Sequence, residues 1–197
     1  ILAAFFDFID GFAARLLHAK SEIGANLDSL ADVVSFGLAP SLVVFKLFPD
    51  PSIYRVFPEI MSLMPYLALL ITAAGAYRLA KFNSDPGQAE VFKGLPIPAT
   101  GLFIASLPLI LDQAVKPGWM EGLIRNPVTL IIMVLFLSGL MISTIPMMSL
   151  KFRNMKWNEN AIRFILIISF PLMFLFLRFA AIPLVIIFYI ILSLASL

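Results

Sequence analysis

Asp7-Phe8-Ile9-Asp10-Gly11-Phe12-Ala13-Ala14-Arg15, then eight residues to Gly24, three to Asp28 and three to Asp32: this stretch decides how the chain is read. Four aspartates sit inside apolar runs of a protein whose charged residues are only 13%. Asp7 and Asp10 are three apart and Asp28 and Asp32 four apart, so each pair shares a face if its segment is helical. The residues between, with Arg15, His18, Lys20, Ser21 and Glu22, read as a polar turn at a membrane surface. A helix, a turn and a returning helix then bring both pairs to one end of a hairpin. Converging carboxylates do not all ionise unless cations lie among them. An all-oxygen ligand set suits hard cations such as Mg2+ or Mn2+.

The composition places that hairpin in a bilayer. Of the 197 residues, 61% are hydrophobic, with a mean hydropathy of +0.99, against about 45–50% apolar residues in soluble domains. The absence of cysteine excludes disulfides and thiol chemistry. A net charge of +2 does not suggest a nucleic-acid binder. Apolar helices are expected from about Leu27 to Phe48, Ile60 to Phe82, Phe92 to Ala114, Pro127 to Ile145, Ala161 to Leu177 and Ile182 to Ser196. Phe48-Pro49-Asp50-Pro51, Ser84-Asp85-Pro86-Gly87 and Pro117-Gly118 are the breaks between them. With the motif helix, the expected architecture is an all-α, polytopic transmembrane bundle of about seven helices. No repeat or soluble domain interrupts it, so residues 1–197 form a single integral membrane domain with an active-site hairpin at 7–32. Ile1 begins in mid-helix, and a spanning helix needs about 20 residues; more chain is expected upstream.

Basic residues orient the bundle. Arg15, Lys20, Arg78, Lys81, Lys93, Lys151, Arg153, Lys156 and Arg163, nine of the fourteen, fall in loops on one side. Lys46, Arg55, Lys116, Arg125 and Arg178 fall on the other, diluted by acids. The richer side holds the hairpin and should face the cytoplasm. The run from Lys151 to Trp157 reads either as an interfacial segment that attracts anionic lipid or as plain topology signal. His18, the single histidine, reads as solvated.

The residues themselves suggest roles. Asp7, Asp10 and Asp28 are able to hold two divalent ions against a pyrophosphate. Gly11, Ala14 and Gly24 let a ligand or a neighbouring helix come close to the backbone. Arg15 offers a planar fork to phosphate oxygens, and one acid must take the proton of an attacking hydroxyl.

The spacing resembles the signature of the CDP-alcohol phosphatidyltransferases at all eight of its specified positions: Asp7, Asp10, Gly11, Ala14, Arg15, Gly24, Asp28 and Asp32. The resemblance implies metal at the first three acids, with Asp32 near a metal and acting as general base. It places the cytidine nucleotide of CDP-diacylglycerol at Asp10, Gly11, Ala14, Arg15 and Gly24. It also implies a further transmembrane helix before the first acid pair. Within the family, Leu27 to Pro40, Arg78 to Asn83 and Gly94 to Ala99 look like the branch that uses L-serine and makes phosphatidylserine. The likeness weakens beyond Gly101. Serine needs a cation for its carboxylate and polar partners for its ammonium. Arg78 and Lys81 are candidates for the first, Ser35 and Asn83 for the second. Ordinary anchoring of a helix end is the plainer reading of both basic residues.

Glycerol 3-phosphate or an inositol-type acceptor would keep the mechanism but want a denser basic pocket. A divalent-cation transporter would spread its acids along a pore, whereas these are concentrated at one end. The expected setting is the plasma or inner membrane with its lipids. A homodimer is an open expectation.

Overall fold

The computed structural model describes residues 9, 22–50, 58–84, 92–113, 118–148 and 157–195. Asp7, Asp10, Gly11, Ala14 and Arg15 lie outside them.

The returning arm of the hairpin is one long helical stretch in three parts. Helix α1 (Glu22–Asp32) runs into a π-helical segment (Val33–Leu38), which runs into α2 (Ala39–Leu47). The Ala39 N–H bonds Val34 O, five residues back. Pro40 explains the wide turn: it lacks an N–H, and its ring would collide with the carbonyl four residues earlier in a regular helix. The carbonyl of Gly37 is taken up by the Ser41 hydroxyl at 2.8 Å. A regular helix was expected over Leu27–Phe48; the π turn is what the proline adds.

The next span begins with α3 (Pro58–Leu63), tightens to a 3₁₀ turn at Met64–Ala68 around Pro65, and continues as α4 (Leu69–Ser84). It returns antiparallel along the first. Ser41 Oγ and Thr72 Oγ1 are 2.6 Å apart, a Cβ on Gly37 would lie 3.5 Å from Thr72 Cα, and Asn83 Nδ2 donates to Ser29 Oγ at 2.9 Å. Small residues and hydroxyl pairs are how helices approach where lipid removes the hydrophobic drive.

The expected helix from Phe92 begins later, as α5 (Ile97–Leu111). Phe92–Lys93 (β1) instead pairs antiparallel with Pro146–Met147 (β2). Gly94 accounts for the change. At φ +73 it turns the chain so that its N–H reaches Ile145 O at 2.8 Å and the Leu95 N–H reaches Leu140 O at 3.0 Å. The loop thereby occupies the Leu140 carbonyl in the last turn of helix α7 (Pro127–Ile142), a position whose carbonyls lack partners inside the helix. This is why α7 stops at Ile142 rather than Ile145. At its start, Asn126 Oδ1 accepts from the N–H of Val128 at 2.9 Å and of Thr129 at 3.4 Å, with Pro127 in the first turn. A short helix not expected from the sequence, α6 (Gly118–Ile124), meets α7 at 63°.

The last apolar stretch is α8 (Trp157–Leu177), a 3₁₀ turn at Arg178–Ala180 with Arg178 at φ 49, and α9 (Ala181–Ala195). The two helices pack against each other across the turn. The stretches Asn26–Leu47, Glu59–Ser84 and Arg163–Ala195 are each long and apolar enough to cross a bilayer, with α6 and α7 together a fourth; α5 is shorter. The inner layer is mainly apolar, with Val44, Ile71, Leu95, Ile97, Ile104 and Val134 at no exposure, and Ser41, Thr100 and Ser106 buried among them. Leu172, Leu175 and Phe176 stand outside it, more than half exposed. Such a surface belongs in lipid, and the fold is the all-α bundle of a membrane protein.

Candidate active site

Gly24, Asp28 and Asp32 recur every four residues on α1, so they follow one another along one helix face. Asp28 is exposed and Asp32 half-buried. Of the four signature acids these two are described. Among the described residues, which do not include Asp7 and Asp10, no three potential ligands cluster. The described pair does fit its half of an oxygen-ligand set: two carboxylates one turn apart, one open to solvent.

The antiparallel packing of the π segment and α2 on α4 carries Arg78 toward Asp32. Gly37 lies against Thr72, and Ser29 bonds Asn83. Between those two anchors Arg78 and Asp32 interact electrostatically. Arg78 is only 9% exposed, and its Nε is buried with no hydrogen-bond partner among the described residues. A buried charge needs compensation. The Asp32 carboxylate lies within electrostatic reach to supply it. One turn before Arg78, a Cβ on Gly75 would lie 3.1 Å from Ile97 Cδ1, so the first turn of α5 closes on α4 there. A buried guanidinium whose Nε has no partner among the described residues, within electrostatic reach of a carboxylate, is suited to bind an anion near a base.

Tyr189 was not singled out by sequence reasoning. It is 8% exposed and donates its hydroxyl to Met148 O at 3.0 Å. The Met148 N–H donates to Ser193 Oγ at 3.2 Å, and the Ser193 hydroxyl hydrogen-bonds the phenol. The only signal in the sequence is a tyrosine and a serine four apart in an otherwise apolar helix.

The other expected residues are distributed around this centre. Ser35 is half-buried in the π segment, which packs on α4. Lys81 is half-buried one turn beyond Arg78. Asn83 is exposed, and its amide nitrogen spans from α4 to Ser29, the neighbour of Asp28.

A helical membrane bundle with aspartates on one helix face and a buried arginine opposite them defines the class. The family model for CDP-alcohol phosphatidyltransferase matches residues 1–195. The chain belongs to the CDP-alcohol phosphatidyltransferase family. It is 37% identical over 141 residues to the CDP-diacylglycerol–serine O-phosphatidyltransferase of Bacillus subtilis, covering 72% of this chain and 67% of that one. It is 34% identical over 167 residues to the protein of the same name from Helicobacter pylori, covering 83% and 63%. An archaetidylserine synthase of Methanothermobacter thermautotrophicus is 34% identical over 114 residues, or 55% of this chain and 44% of that one. The chain thus spans about two thirds of the first two relatives, and less of the third.

Proposed function

We propose that this protein makes phosphatidylserine and CMP from CDP-diacylglycerol and L-serine. The carrying observation is Arg78: a buried guanidinium whose Nε has no partner among the described residues, within electrostatic reach of Asp32 of the signature. The relatives' printed names, which specify serine, support the choice of acceptor.

Arg78 receives the serine carboxylate, with Lys81, Ser35 and Asn83 as the surrounding polar groups. That contact leaves the serine hydroxyl on the Asp32 side. Asp32 takes the hydroxyl proton as the oxygen attacks the phosphorus attached to diacylglycerol. The bond from that phosphorus to the bridging oxygen breaks, and CMP departs with the electron pair. Asp7, Asp10 and Asp28, with Asp32 beside them, would hold two divalent ions, Mg2+ or Mn2+. When bound, these neutralise charge on the pyrophosphate and leaving group. Asp10, Gly11, Ala14, Arg15 and Gly24 accept the cytidine nucleotide. The site opens to the cytoplasm, on the side where the basic residues gather.

The test uses membranes bearing the protein, CDP-diacylglycerol and radiolabelled serine, with Mg2+ or Mn2+ and with a chelator. Labelled phosphatidylserine with metal and none with chelator is the expected result. Preference for glycerol 3-phosphate over serine would overturn the choice of acceptor.

A further inference from the structure

We propose that α6 is an interfacial helix: it lies along the membrane leaflet opposite the one that holds the aspartates, with Trp119 and Leu123 in lipid at the boundary of headgroups and acyl chains. It does not prolong the span of α7. The occupant of its exposed apolar face is lipid.

The helix presents three faces. At 100° per residue, Met120 and Ile124 point one way, Trp119 and Leu123 another, and Glu121 and Arg125 a third. Met120 and Ile124 pack against the protein core. Trp119 is 65% exposed and Leu123 50%. Arg125 Nε and Glu121 Oε1 are 3.5 Å apart, on side chains half open to solvent. Arg125 continues the helical turn, since its N–H bonds Glu121 O at 3.0 Å. The Trp119–Leu123 face is about 160° from the Glu121–Arg125 face. The exposed apolar side and the charged side are thus nearly opposite, with the protein contact between them. In water that division has no function; in an interface it matches the change from acyl chain to solvent across one helix. Tryptophan, an apolar ring with one N–H, suits that depth.

The place of α6 in the fold agrees. α5 passes Phe36 at Gly101 and continues beside α2, away from Asp28 and Asp32. α6 follows it and touches both α5 and α7, at the far end of the bundle. Its axis turns from that of α7 by 63°. A span tilts about 20° on average, so α6 stands more than about 40° from the bilayer normal whichever way α7 leans. On α7, Val128, Ile132 and Leu135 recur at helical spacing, each more than half exposed. This lipid-facing stripe begins in the first turn of α7, directly after α6 ends, and puts the edge of the hydrocarbon at the level of α6. α5 and α7 have 15 and 16 residues. They rise about 22–24 Å, against roughly 30 Å of hydrocarbon. Trp119 and Leu123 supply apolar surface at the level where those two spans fall short.

The experiment is fluorescence quenching on the full chain in vesicles. The chain has two tryptophans, Trp119 and Trp157, so Trp157→Phe leaves Trp119 as the single reporter. The vesicles contain phosphatidylcholine brominated either near the headgroup end or near the methyl end of its acyl chains. Trp119 emission should be lost most with bromine near the headgroup, and less with bromine near the methyl end or with iodide on both sides of the membrane. If Trp157→Phe is not recovered folded, the difference between the wild type and Trp119→Phe reports the same ring. Strongest quenching by deep bromine would make α6 part of a span. Strongest quenching by iodide would put the face in water, and no quenching by any of the three would mean that protein covers it, as in an interface with a second copy. Each of these results overturns the proposal, and none depends on which alcohol the protein uses.

Discussion

At position 78 a lysine would carry the charge of arginine but not its planar fork of donors. Arg78→Lys should therefore recover only part of what Arg78→Ala loses, and the loss should fall on KM for serine rather than on KM for CDP-diacylglycerol. Initial rates with each substrate varied decide this; an effect confined to the liponucleotide would move Arg78 to the phosphate site. Asp32→Asn keeps the shape and removes the base. It should bind CDP-diacylglycerol by calorimetry while turnover falls about 10²–10⁴-fold; loss of binding as well would make Asp32 chiefly a metal ligand. Asp28→Asn, like Asp7→Asn and Asp10→Asn, should abolish turnover, and full activity in any one of them removes that residue from the metal set. The acids stood out in the sequence as candidates because carboxylates inside apolar runs have few bland explanations. Tyr189 was not legible, since one phenol in an apolar helix gives no indication of the carbonyl it will meet.

Among the elements, the turn at Gly94 sets where three others end. It closes on the last carbonyls of α7, starts α5 and brings β1 to β2. A Cβ there would lie 2.5 Å from Met141 O, at a φ of +73. Gly94→Ala should cost roughly 1–2 kcal/mol for the left-handed backbone alone, with relief of the carbonyl overlap added to it. A fall in the thermal transition of the purified protein is the expected reading, and an unchanged transition would show that the turn relaxes. The π segment is the second local decision. Its cause, Pro40, was visible in the sequence, but a proline in an apolar helix is equally compatible with a kink or a stop. Which one occurs depends on Ser41 finding both Gly37 O and Thr72, a residue of another helix.

For the whole molecule, the lack of cysteine makes orientation directly measurable. Single substitutions Lys93→Cys and Glu121→Cys report the two ends of the bundle. A membrane-impermeant thiol reagent added outside intact cells should label the second and spare the first; the reverse pattern would invert the assigned topology. The basic loops set that expectation, and the apolar helices and the packing of the π segment and α2 on α4 agree with the bundle expected from hydropathy. The breaks were less legible. The sequence indicated a stop near Pro117-Gly118, but not that α6 would follow and meet α7 at 63°. That angle is set by the Asn126 cap and by packing, neither of which has a period in the sequence.

By itself, the sequence determined the membrane class, the helical architecture and the family, and marked the acids as candidates, because apolar run length and fixed carboxylate spacing are local properties of the chain. The tertiary structure alone decided that Arg78 is buried within electrostatic reach of Asp32 and that Tyr189 of the last helix hydrogen-bonds the Met148 carbonyl. It also decided that the loop at Gly94 caps a helix more than forty residues later in the chain. These are contacts between distant segments. They exist because buried polar groups and helix-end carbonyls must find partners wherever packing brings them.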